Sequence, residues 1–470
     1  MIVACLDIGS TWTKGVAFRL EGESVTLLRR ASRPTTVANL ADGFFAVLGD
    51  CVSGDPLALL KSGELKLQYS SSAKGGLAVA AIGLVPEVTL EVGKIAAQSA
   101  GARLSQVFSY HLTRRDIAGL EASPPDILLF AGGTDGGNTR YVLDNAEAIG
   151  RSAIDCEIVY AGNRSVAEDV AELLAGKRLR VVDNLLPNFN EPNPDPARDA
   201  IRAIFLDTIV SGKGLDRIMT ATGAAPAPTP YVVLEYVRAI REHVPGWESF
   251  MLFDMGGATT DVYSAHCEAP APGTLLRGLP EPEVKRTVEG DLGMRVSAHA
   301  TCRVGGKTQE TALERAGISA ERLCEYADQL AAHPDYLPLS EEDERFDQAL
   351  AGLCVGNACA RHVGRSATVY TPEGEMQVQT GRDLRQVSKL IGSGGWLSRA
   401  ENFSPADWLA DHAVDKRGRL VLTPRDFTWY RDKDYLFPLL ANLAREVPKA
   451  AALAGVNLLY REEGRGKGEG

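Results

Sequence analysis

Two short segments of the sequence have the composition of loops that bind phosphate. The first is DIGSTWTK, from Asp7 to Lys14, which follows the apolar run at residues 2–6. The second lies in FDMGGATTDV, after the apolar run at residues 250–253. Glycine lets the backbone approach an anion closely, and consecutive N–H groups in such a turn form a concave anion site, to which hydroxyls add donors. Each segment therefore predicts a phosphate-binding turn between two strands.

Each of these turns begins with an aspartate at the end of its strand. Asp7 and Asp254 would repel a bare phosphate, so carboxylates at these positions indicate a hydrated cation between protein and phosphate. Mg²⁺ retains several waters and usually takes few carboxylates, which suits one aspartate from each turn. Lys14 carries the charge that would neutralise phosphate during phosphoryl transfer, where charge stabilisation dominates. The residues thus predict a triphosphate bound through hydrated Mg²⁺, with Asp7 and Asp254 binding the metal.

The two turns match each other position by position. When Asp7 is aligned with Asp254, Gly9 falls opposite Gly256 and Thr13 falls opposite Thr260. A D-x-G-x-T turn is common, so either turn alone is a weak indication of a site. Two turns with matched offsets between strands indicate a duplicated α/β unit rather than a solenoid, whose repeats span about 20–50 residues.

Composition narrows the class of protein. The chain has 470 residues, 45% hydrophobic and 24% charged, which is enough for two or more cores. Its formal net charge of −11 argues against nucleic acid or an anionic membrane as a partner. The 8 cysteines form no C-x-x-C pair, and no segment approaches the roughly 20 apolar residues of a membrane helix. We therefore expect a cytoplasmic protein with no nucleic-acid or membrane partner. The sequence does not indicate its oligomeric state.

Alternating strand and helix patterns predict an α/β lobe, followed by proline-rich stretches that we place between two lobes. Residues 269–282 have the composition of a surface loop, and residues 350–362 have helical spacing. The predicted organisation is a first lobe at residues 1–210, a connection at 211–249, a second lobe at 250–461 and a disordered tail at 462–470.

A third glycine-rich turn, LIGSGG, follows an apolar strand end near residue 391, and its glycines would let a flat base or ribose lie against the backbone. DIGSTWTK, FDMGGATTDV and LIGSGG, in this order, resemble the phosphate-1, phosphate-2 and adenosine motifs of the acetate kinase/sugar kinase/Hsp70/actin superfamily. The resemblance implies an α/β, two-lobed actin-like ATPase fold, made of duplicated ribonuclease H-like domains with a nucleotide cleft between them.

The same resemblance assigns expected roles to individual residues. Ala258 departs from the Hsp70-like pattern, which often has glycine there, and its methyl group slightly limits the approach of a phosphate. Catalytic roles are implied for Asp7, Lys14, Asp254 and Asp261. Nucleotide-binding roles are implied for Gly9, Ser10, Thr11, Gly256, Gly257, Ala258, Thr259, Gly392, Ser393 and Gly394.

Three further motifs are AGGTDGGN at residues 131–138, TVEGDLGMR at 287–295 and RHVGR at 361–365. Together with DIGSTWTK and LIGSGG they resemble the MutL/GlmL family, accessory proteins of adenosylcobalamin-dependent amino-acid mutases such as glutamate mutase and ornithine aminomutase. The family is unrelated to the mismatch-repair ATPase of the same name. The resemblance implies a slow Mg-dependent ATPase that acts as a chaperone-like reactivating factor. It would use ATP to release damaged cobalamin from mutase subunits, its partners.

Other interpretations of these motifs remain open at this stage. A small-molecule kinase or hydantoinase-like enzyme would need a catalytic carboxylate, for which Asp135 is the conspicuous candidate. Residues 132–137 also suit a plain strand–helix turn, and residues 289–293 suit a strand–turn–helix connection. Arg361, His362 and Arg365 suit a cation cluster at a helix end, which the helix dipole favours. A filament-forming protein of the actin type has no supporting motif.

Overall fold

The computed structural model describes the chain apart from Val37, residues 73–76, Glu87, residues 211–213, Glu373, residues 463–470 and the side chains of Ile209, Val210 and Lys307. The chain divides into two compact units, Met1–Val233 and Leu234–Gly470. The division falls inside a helix, Thr229–His243, within the segment that we predicted to join the lobes. The lobe limits at residues 210 and 250 stay a prediction. Most of the predicted tail lies outside the described residues, but Glu462 accepts a hydrogen bond from Arg431 Nε at 2.7 Å.

The first unit contains a five-stranded sheet in the order β10-β4-β1-β2-β3. Strands β1, β2 and β3 are antiparallel neighbours, whereas β4 and β10 run parallel to β1. Strand β1 is buried along almost its whole length, as expected for a central strand covered on both faces. The strands are β1 Ile2–Ile8, β2 Trp12–Glu21, β3 Ser24–Pro34, β4 Leu65–Ser71 and β10 Ala227–Pro228.

A second sheet is inserted in the first unit between β4 and β10. Its five strands are all parallel, in the order β6-β5-β7-β8-β9. Counted along the chain this is the order 2-1-3-4-5 of flavodoxin-like doubly wound sheets. The strands are β5 Ala78–Gly83, β6 Arg103–Ser109, β7 Ile127–Phe130, β8 Glu157–Tyr160 and β9 Arg178–Val181.

The second unit repeats the pattern of the first sheet, in the order β14-β12-β11-β17-β19-β20. Again the first strand, β11, pairs with an antiparallel hairpin strand on one side and with parallel strands on the other. This repeated arrangement is the ribonuclease H-like sheet, and its duplication in one chain confirms the predicted actin-like ATPase fold. The strands are β11 Phe250–Met255, β12 Thr260–Ala265, β14 Val284–Glu289, β17 Lys389–Ser393, β19 Thr428–Arg431 and β20 Tyr460–Arg461.

A four-stranded sheet in the order β13-β16-β15-β18 completes the second unit. The predicted surface loop at residues 269–282 was wrong in part, because four of its residues form β13 and pair with β16. The strands are β13 Thr274–Arg277, β15 Arg365–Thr371, β16 Gly374–Thr380 and β18 Leu420–Val421.

Helices cover the sheets of both units. No single helix among the described residues is long and apolar enough to cross a membrane, and one bent pair, α1 with α2, meets that test by length and composition only. The helices are α1 Leu40–Cys51, α2 Pro56–Ser62, α3 Thr89–Ser99, α4 Arg114–Ala122, α5 Arg140–Arg151, α6 Ala167–Leu173, α7 Asp195–Val210, α8 Leu215–Thr222, α9 Thr229–His243, α10 Ala298–Thr301, α11 Lys307–Ala316, α12 Ala320–Ala332, α13 Glu341–His362, α14 Ala406–Ala410, α15 Phe437–Ala444 and α16 Pro448–Asn457.

Candidate nucleotide site

The first phosphate turn is the tight connection between β1 and β2. Gly9 N donates to Trp12 O at 3.0 Å, and Asp7 pairs with Lys14 across the two strands. A Cβ atom at Gly9 would lie 2.7 Å from that same carbonyl oxygen, so only glycine fits without a backbone shift. The sequence thus closes the turn with backbone groups and places Asp7 at the strand end beside it.

Asp7 is buried, and two hydroxyl groups donate hydrogen bonds to its Oδ1 atom. Thr229 Oγ1 donates at 2.7 Å and Ser70 Oγ at 3.0 Å. Burial raises the pKa of Asp7, while the hydrogen bond from Thr229, the charge of Lys14 and the hydrogen bond from Ser70 oppose that rise. The carboxylate is therefore held in one orientation by neutral donors, in surroundings that make its charge costly.

Sequence reasoning missed both hydroxyl residues. Ser70 lies directly opposite Asp7 in the parallel pairing of β1 with β4, and Thr229 begins α9 immediately after β10. The signal in the sequence was the polar end of an apolar strand, SSS at residues 70–72, and a threonine after the proline-rich stretch. Neither segment is close to Asp7 in the chain, so only the sheet order brings them together.

We expect Thr229→Val to change the pH dependence of nucleotide turnover. Removing the donor raises the pKa of Asp7 further, and because the anionic form attracts the cation, the acidic limb of the pH–rate profile moves to higher pH. The raised folded-state pKa also means that the contribution of Asp7 to stability is fully present below its unfolded pKa and is lost as the pH rises through the folded pKa. The profile is measured by steady-state ATP turnover.

Thr222→Val is the matched control. Thr222 lies at the end of α8, where its Oγ1 donates a hydrogen bond to Ile218 O at 2.7 Å, and it does not contact Asp7. A profile that moves equally in both variants would contradict the role given to Thr229.

The second phosphate turn reproduces the geometry of the first. Gly256 N donates to Thr259 O at 2.8 Å, and Asp254 pairs with Asp261 as Asp7 pairs with Lys14. Asp261 therefore occupies in the second turn the position that Lys14 occupies in the first. The first turn has a lysine at this position and the second has an aspartate. The two turns are thus equivalent in backbone and different in charge.

The Asp261 carboxylate is bound by a buried arginine from the neighbouring strand. Arg286, in β14, donates through Nε to Asp261 Oδ1 at 2.7 Å, and both side chains are buried. Thr259 Oγ1 contacts the other carboxylate oxygen at 3.4 Å. Asp261, which we predicted to be catalytic, therefore occupies a position from which it fixes the phosphate turn.

The motif TVEGDLGMR packs against the backbone of the second phosphate turn and forms a hydrogen bond with it. A Cβ atom at Gly293 would lie 2.7 Å from both Gly257 O and the carbonyl carbon of Ala258, and Met294 N donates to Gly256 O at 3.1 Å. Arg361, from the RHVGR motif, binds Asp291 with both guanidinium NH groups at 2.6 and 2.8 Å and Glu289 at 2.7 Å. Two motifs that carry the family resemblance therefore meet beside the phosphate turn.

These ion pairs also decide the state of the two acidic residues in the motif. Burial raises the pKa of Glu289 against the hydrogen bond from Arg361, whereas that arginine's hydrogen bond lowers the pKa of Asp291. Both carboxylates are committed to Arg361, which favours the interpretation of residues 289–293 as a structural connection.

We expect Gly293→Ala to displace the second phosphate turn. The added methyl group meets backbone atoms rather than a flexible side chain, so the free energy of unfolding falls by about 1–3 kcal/mol and the KM for Mg-ATP rises. The control is Gly290→Ala in the same connection, where a Cβ atom would meet nothing within 4 Å. Urea denaturation and steady-state kinetics measure the two effects. Equal behaviour of the two variants would refute the contact.

The glycine turn after β17 lies against the end of β11. Gly394 has a φ of 105°, and a Cβ atom there would lie 2.1 Å from Met255 O, so glycine is required for two reasons. Gly392 is required by packing, because a Cβ atom would lie 2.4 Å from the Trp429 ring. The predicted adenosine turn therefore adjoins the predicted second phosphate turn.

Ser393 sits opposite Asp254 in the pairing of β11 with β17, as Ser70 sits opposite Asp7. Its hydroxyl group is buried and donates to Asp432 Oδ2 at 2.8 Å. Asp432 also accepts from Leu436 N at 2.7 Å and Phe437 N at 3.1 Å, so it fixes the start of α15. Ser393 thus connects the glycine turn to that helix.

Each unit therefore gathers its own predicted site residues at one end of its duplicated sheet. The predicted cleft between the units, with one nucleotide shared by both, stays a prediction. The first unit holds Asp7, Gly9, Ser10, Thr11 and Lys14, and the second holds Asp254, Gly256, Gly257, Ala258, Thr259, Asp261, Gly392, Ser393 and Gly394.

The donor set fits hydrated Mg²⁺ better than a metal held by the protein alone. Within the described residues there is no group of three or more His, Cys, Asp or Glu side chains that could enclose a metal ion. Each unit instead offers one aspartate at a strand end, Asp7 or Asp254. Mg²⁺ that keeps its waters and binds nucleotide phosphates needs no more than one or two such carboxylates.

The duplicated sheet and its matched turns define the class, a protein of the actin-like ATPase fold. The chain belongs to the MutL protein family, and the sequence model of that family matches residues 3–456. It is 39% identical over 458 residues to Protein MutL of Clostridium tetanomorphum, covering 95% of this chain and 96% of that one. The family resemblance read from the motifs is thereby confirmed.

Three solved structures are distantly similar to this chain. A glycerol dehydratase reactivase is 9% identical, over 94% of this chain and 100% of that chain, with a TM-score of 0.35. A diol dehydratase-reactivating factor is 9% identical, over 97% and 99%, with a TM-score of 0.30. Component A of the (R)-2-hydroxyglutaryl-CoA dehydratase of Acidaminococcus fermentans is 9% identical, over 96% and 99%, with a TM-score of 0.28. Scores this low carry no inference about activity or partners.

Proposed function

We propose that this protein is a slow, Mg-dependent ATPase that reactivates an adenosylcobalamin-dependent amino-acid mutase, such as glutamate mutase or ornithine aminomutase, by releasing damaged cobalamin. The observation that carries the proposal is the pair of equivalent phosphate turns in a chain of the MutL family. The second turn is supported by TVEGDLGMR, one of the motifs on which the resemblance to mutase accessory proteins rests.

The residues of the two turns would divide the work of binding and hydrolysis. Mg²⁺, when bound, would neutralise phosphate charge and order the water around it. Asp7 and Asp254 would hold that hydrated ion, with Asp7 oriented by Ser70 and Thr229. The backbone N–H groups of the turns would bind phosphate oxygens, and Lys14 would add a positive charge that the equivalent Asp261 does not.

A reactivating role requires that the nucleotide changes the affinity for the mutase. A ligand shifts an equilibrium only by the difference in its affinity for the two states, so the ATP and ADP forms must bind the mutase differently. Phosphate turns on two units of one chain provide a means, because the γ-phosphate adds contacts that ADP lacks.

The alternative of a small-molecule kinase or hydantoinase-like enzyme depends on Asp135, whose carboxylate is held by neighbouring loops. Asp135 accepts hydrogen bonds from Arg164 N at 3.0 Å and Asn184 Nδ2 at 2.9 Å, and its own N–H donates to Pro187 O at 3.0 Å. These contacts use the carboxylate to fix the loops after β8 and β9. Asp135 therefore has a structural role that accounts for its place in the AGGTDGGN motif.

The test uses a purified glutamate mutase or ornithine aminomutase inactivated with hydroxocobalamin and mixed with this protein, Mg-ATP and fresh adenosylcobalamin. Mutase activity should return with ATP, fail to return with ADP alone, and fail to return with Asp254→Asn. If neither mutase recovers with any nucleotide, or if a small metabolite is phosphorylated instead, the proposal is refuted.

A further inference from the structure

The carboxyl edge of the all-parallel sheet carries a surface that the nucleotide site does not use. In sheets of the order 2-1-3-4-5, ligands bind at the carboxyl ends of the strands where the strand order reverses. That point lies between β5 and β7, next to the turn formed by AGGTDGGN. The carboxylate of Asp135 in this turn already accepts hydrogen bonds from neighbouring loops. Any partner at this edge would therefore contact the surrounding side chains.

Three aromatic rings cluster at this edge. The ring centroids of Tyr110 and Tyr141 are 6.4 Å apart, and those of His111 and Tyr141 are 4.1 Å apart. Tyr110 is 51% exposed, so its ring is accessible to a partner. An exposed aromatic cluster of this kind is typical of the centre of a protein interface.

Tyr110 is also held in a costly backbone conformation. Its φ is 63°, in the left-handed region that residues other than glycine rarely adopt. The buried Asn145 enforces it, since Asn145 Nδ2 donates to Tyr110 O at 2.8 Å and Leu112 N donates to Asn145 Oδ1 at 2.8 Å. Strain that buried groups maintain at an exposed ring indicates a functional constraint rather than a packing need.

Three arginines project from the same edge, and local helix stability does not explain them. Arg114 and Arg115 are the first two residues of α4, and Arg140 is the first of α5. A cation at a helix N-terminus opposes the helix dipole and costs about 0.3–1 kcal/mol. The chain has a net charge of −11, so a local excess of positive charge here runs against its composition.

The three arginines outnumber the two carboxylates of these helix starts, Asp116 and Asp144, and so leave a local excess of one positive charge. Asp116 is used in the capping box of α4 with Thr113. Asp144 is shared between Arg140 Nε at 3.7 Å and His111 Nδ1 at 3.6 Å. Within the part of the chain that the structure describes, Arg114 and Arg115 form no ion pair.

We infer that this tyrosine–arginine edge, made of Tyr110, His111, Arg114, Arg115, Arg140 and Tyr141, is the surface that docks an acidic patch of the mutase. The inference rests on the proposed function and specifies its partner contact. Tyrosine and arginine are the residues that most often dominate the energy of protein interfaces. Tyr110 and Tyr141 line the crevice between the ends of β5 and β7, which has almost no internal space. A flat protein surface therefore fits this edge better than a small ligand that needs a deep pocket. The guanidinium groups of Arg114 and Arg115, which form no ion pair among the described residues, select carboxylates on that surface.

The test measures binding of purified glutamate mutase or ornithine aminomutase to the full-length protein by calorimetry, with Mg-ATP and with Mg-ADP. One variant, Arg114→Glu with Arg115→Glu, reverses the charge. The other, Tyr110→Asn, removes the ring while keeping a residue that tolerates a positive φ. We expect each to raise the Kd roughly tenfold or more. The charge-reversal variant should also lose much of the salt dependence of binding.

Two controls match these changes away from the edge. Arg103→Glu with Arg151→Glu makes the same change of charge at the opposite edge of the sheet, where β6 begins and α5 ends. Tyr370→Asn removes a ring that is 77% exposed on β15. Both controls should bind within about twofold of the wild type, and thermal unfolding checks that all variants fold.

The outcomes separate the inference from the proposed function. If the wild type binds a mutase and the edge variants bind it equally well, the docking surface is refuted while the proposed function stands. If the wild type binds neither mutase with either nucleotide, the proposed function is refuted and the docking surface with it.

Discussion

Replacing Asp7 or Asp254 by asparagine should lower the rate of ATP turnover by roughly 10²–10³, because each change would remove a positioned charge from the proposed site of the reacting phosphate. Asparagine has nearly the shape of aspartate, and at residue 7 the hydroxyl groups of Ser70 and Thr229 can rotate to meet its amide oxygen. We therefore expect both variants to fold. Steady-state phosphate release at saturating Mg²⁺ measures the effect.

Asp55→Asn provides the control, since Asp55 caps α2 through Leu57 N and asparagine caps helices equally well. Its turnover should equal that of the wild type. Undiminished turnover in both Asp7→Asn and Asp254→Asn would mean that the cation binds elsewhere, and the assignment of the two turns would then be wrong.

Replacing Arg286 by methionine should lower the free energy of unfolding of the second unit by about 3–5 kcal/mol. The change leaves the Asp261 carboxylate buried without its cation, and an unpaired buried charge costs far more than the pair contributes. Urea denaturation monitored by tryptophan fluorescence measures the loss.

Arg303→Met is the matched control, because Arg303 also binds an aspartate through two contacts, to Asp328 at 2.8 and 2.7 Å, but both side chains are about half exposed. An exposed pair contributes about 0–1 kcal/mol, so that variant should be only slightly less stable than the wild type. If both variants lose the same stability, burial does not govern the Asp261–Arg286 pair.

In a folded Asp261→Asn variant we expect turnover to fall less than in Asp7→Asn.

Much of the duplicated sheet could be predicted from the sequence because its signals are local. An apolar run, an aspartate and a glycine turn lie within a few residues of each other, and these predicted where β1 and β11 begin. Both strands extend beyond the apolar runs, to Ile8 and to Met255. The matched offset of the two turns added the duplication. Both features depend on neighbours in the chain, where sequence patterns are most informative.

The parts that sequence reasoning missed depend on distant contacts or on surface exposure. Ser70, Thr229 and Arg286 reach the site only through strand order, which no local pattern specifies. Helix α13 starts at Glu341 rather than at residue 350, because its first turns are exposed and polar and give no apolar periodicity. The strands β15 and β16 are exposed on much of both faces, so they lack the alternation that marks a half-buried strand.

The roles of the predicted residues show the same difference between local sequence signals and contacts of distant residues. The glycines at positions 9 and 394 were predicted as phosphate and adenosine contacts, and the structure adds backbone reasons for each. The pairing of Asp261 with a buried arginine could not be predicted, since nothing near Arg286 in the sequence distinguishes it from a surface residue. Site residues are therefore predictable by type and spacing, whereas the groups that orient them emerge only from the fold.

The most direct test of the central proposal, that the phosphate turns bind Mg-ATP, is calorimetric unfolding of the full chain with ATP, with and without Mg²⁺. A ligand at 100 times its Kd stabilises the folded state by about 2.7 kcal/mol, so the Tm should rise with Mg-ATP. The rise should vanish with excess chelator and in the Asp7→Asn, Asp254→Asn double variant. A Tm unchanged by millimolar Mg-ATP, or raised equally without Mg²⁺, would contradict the account.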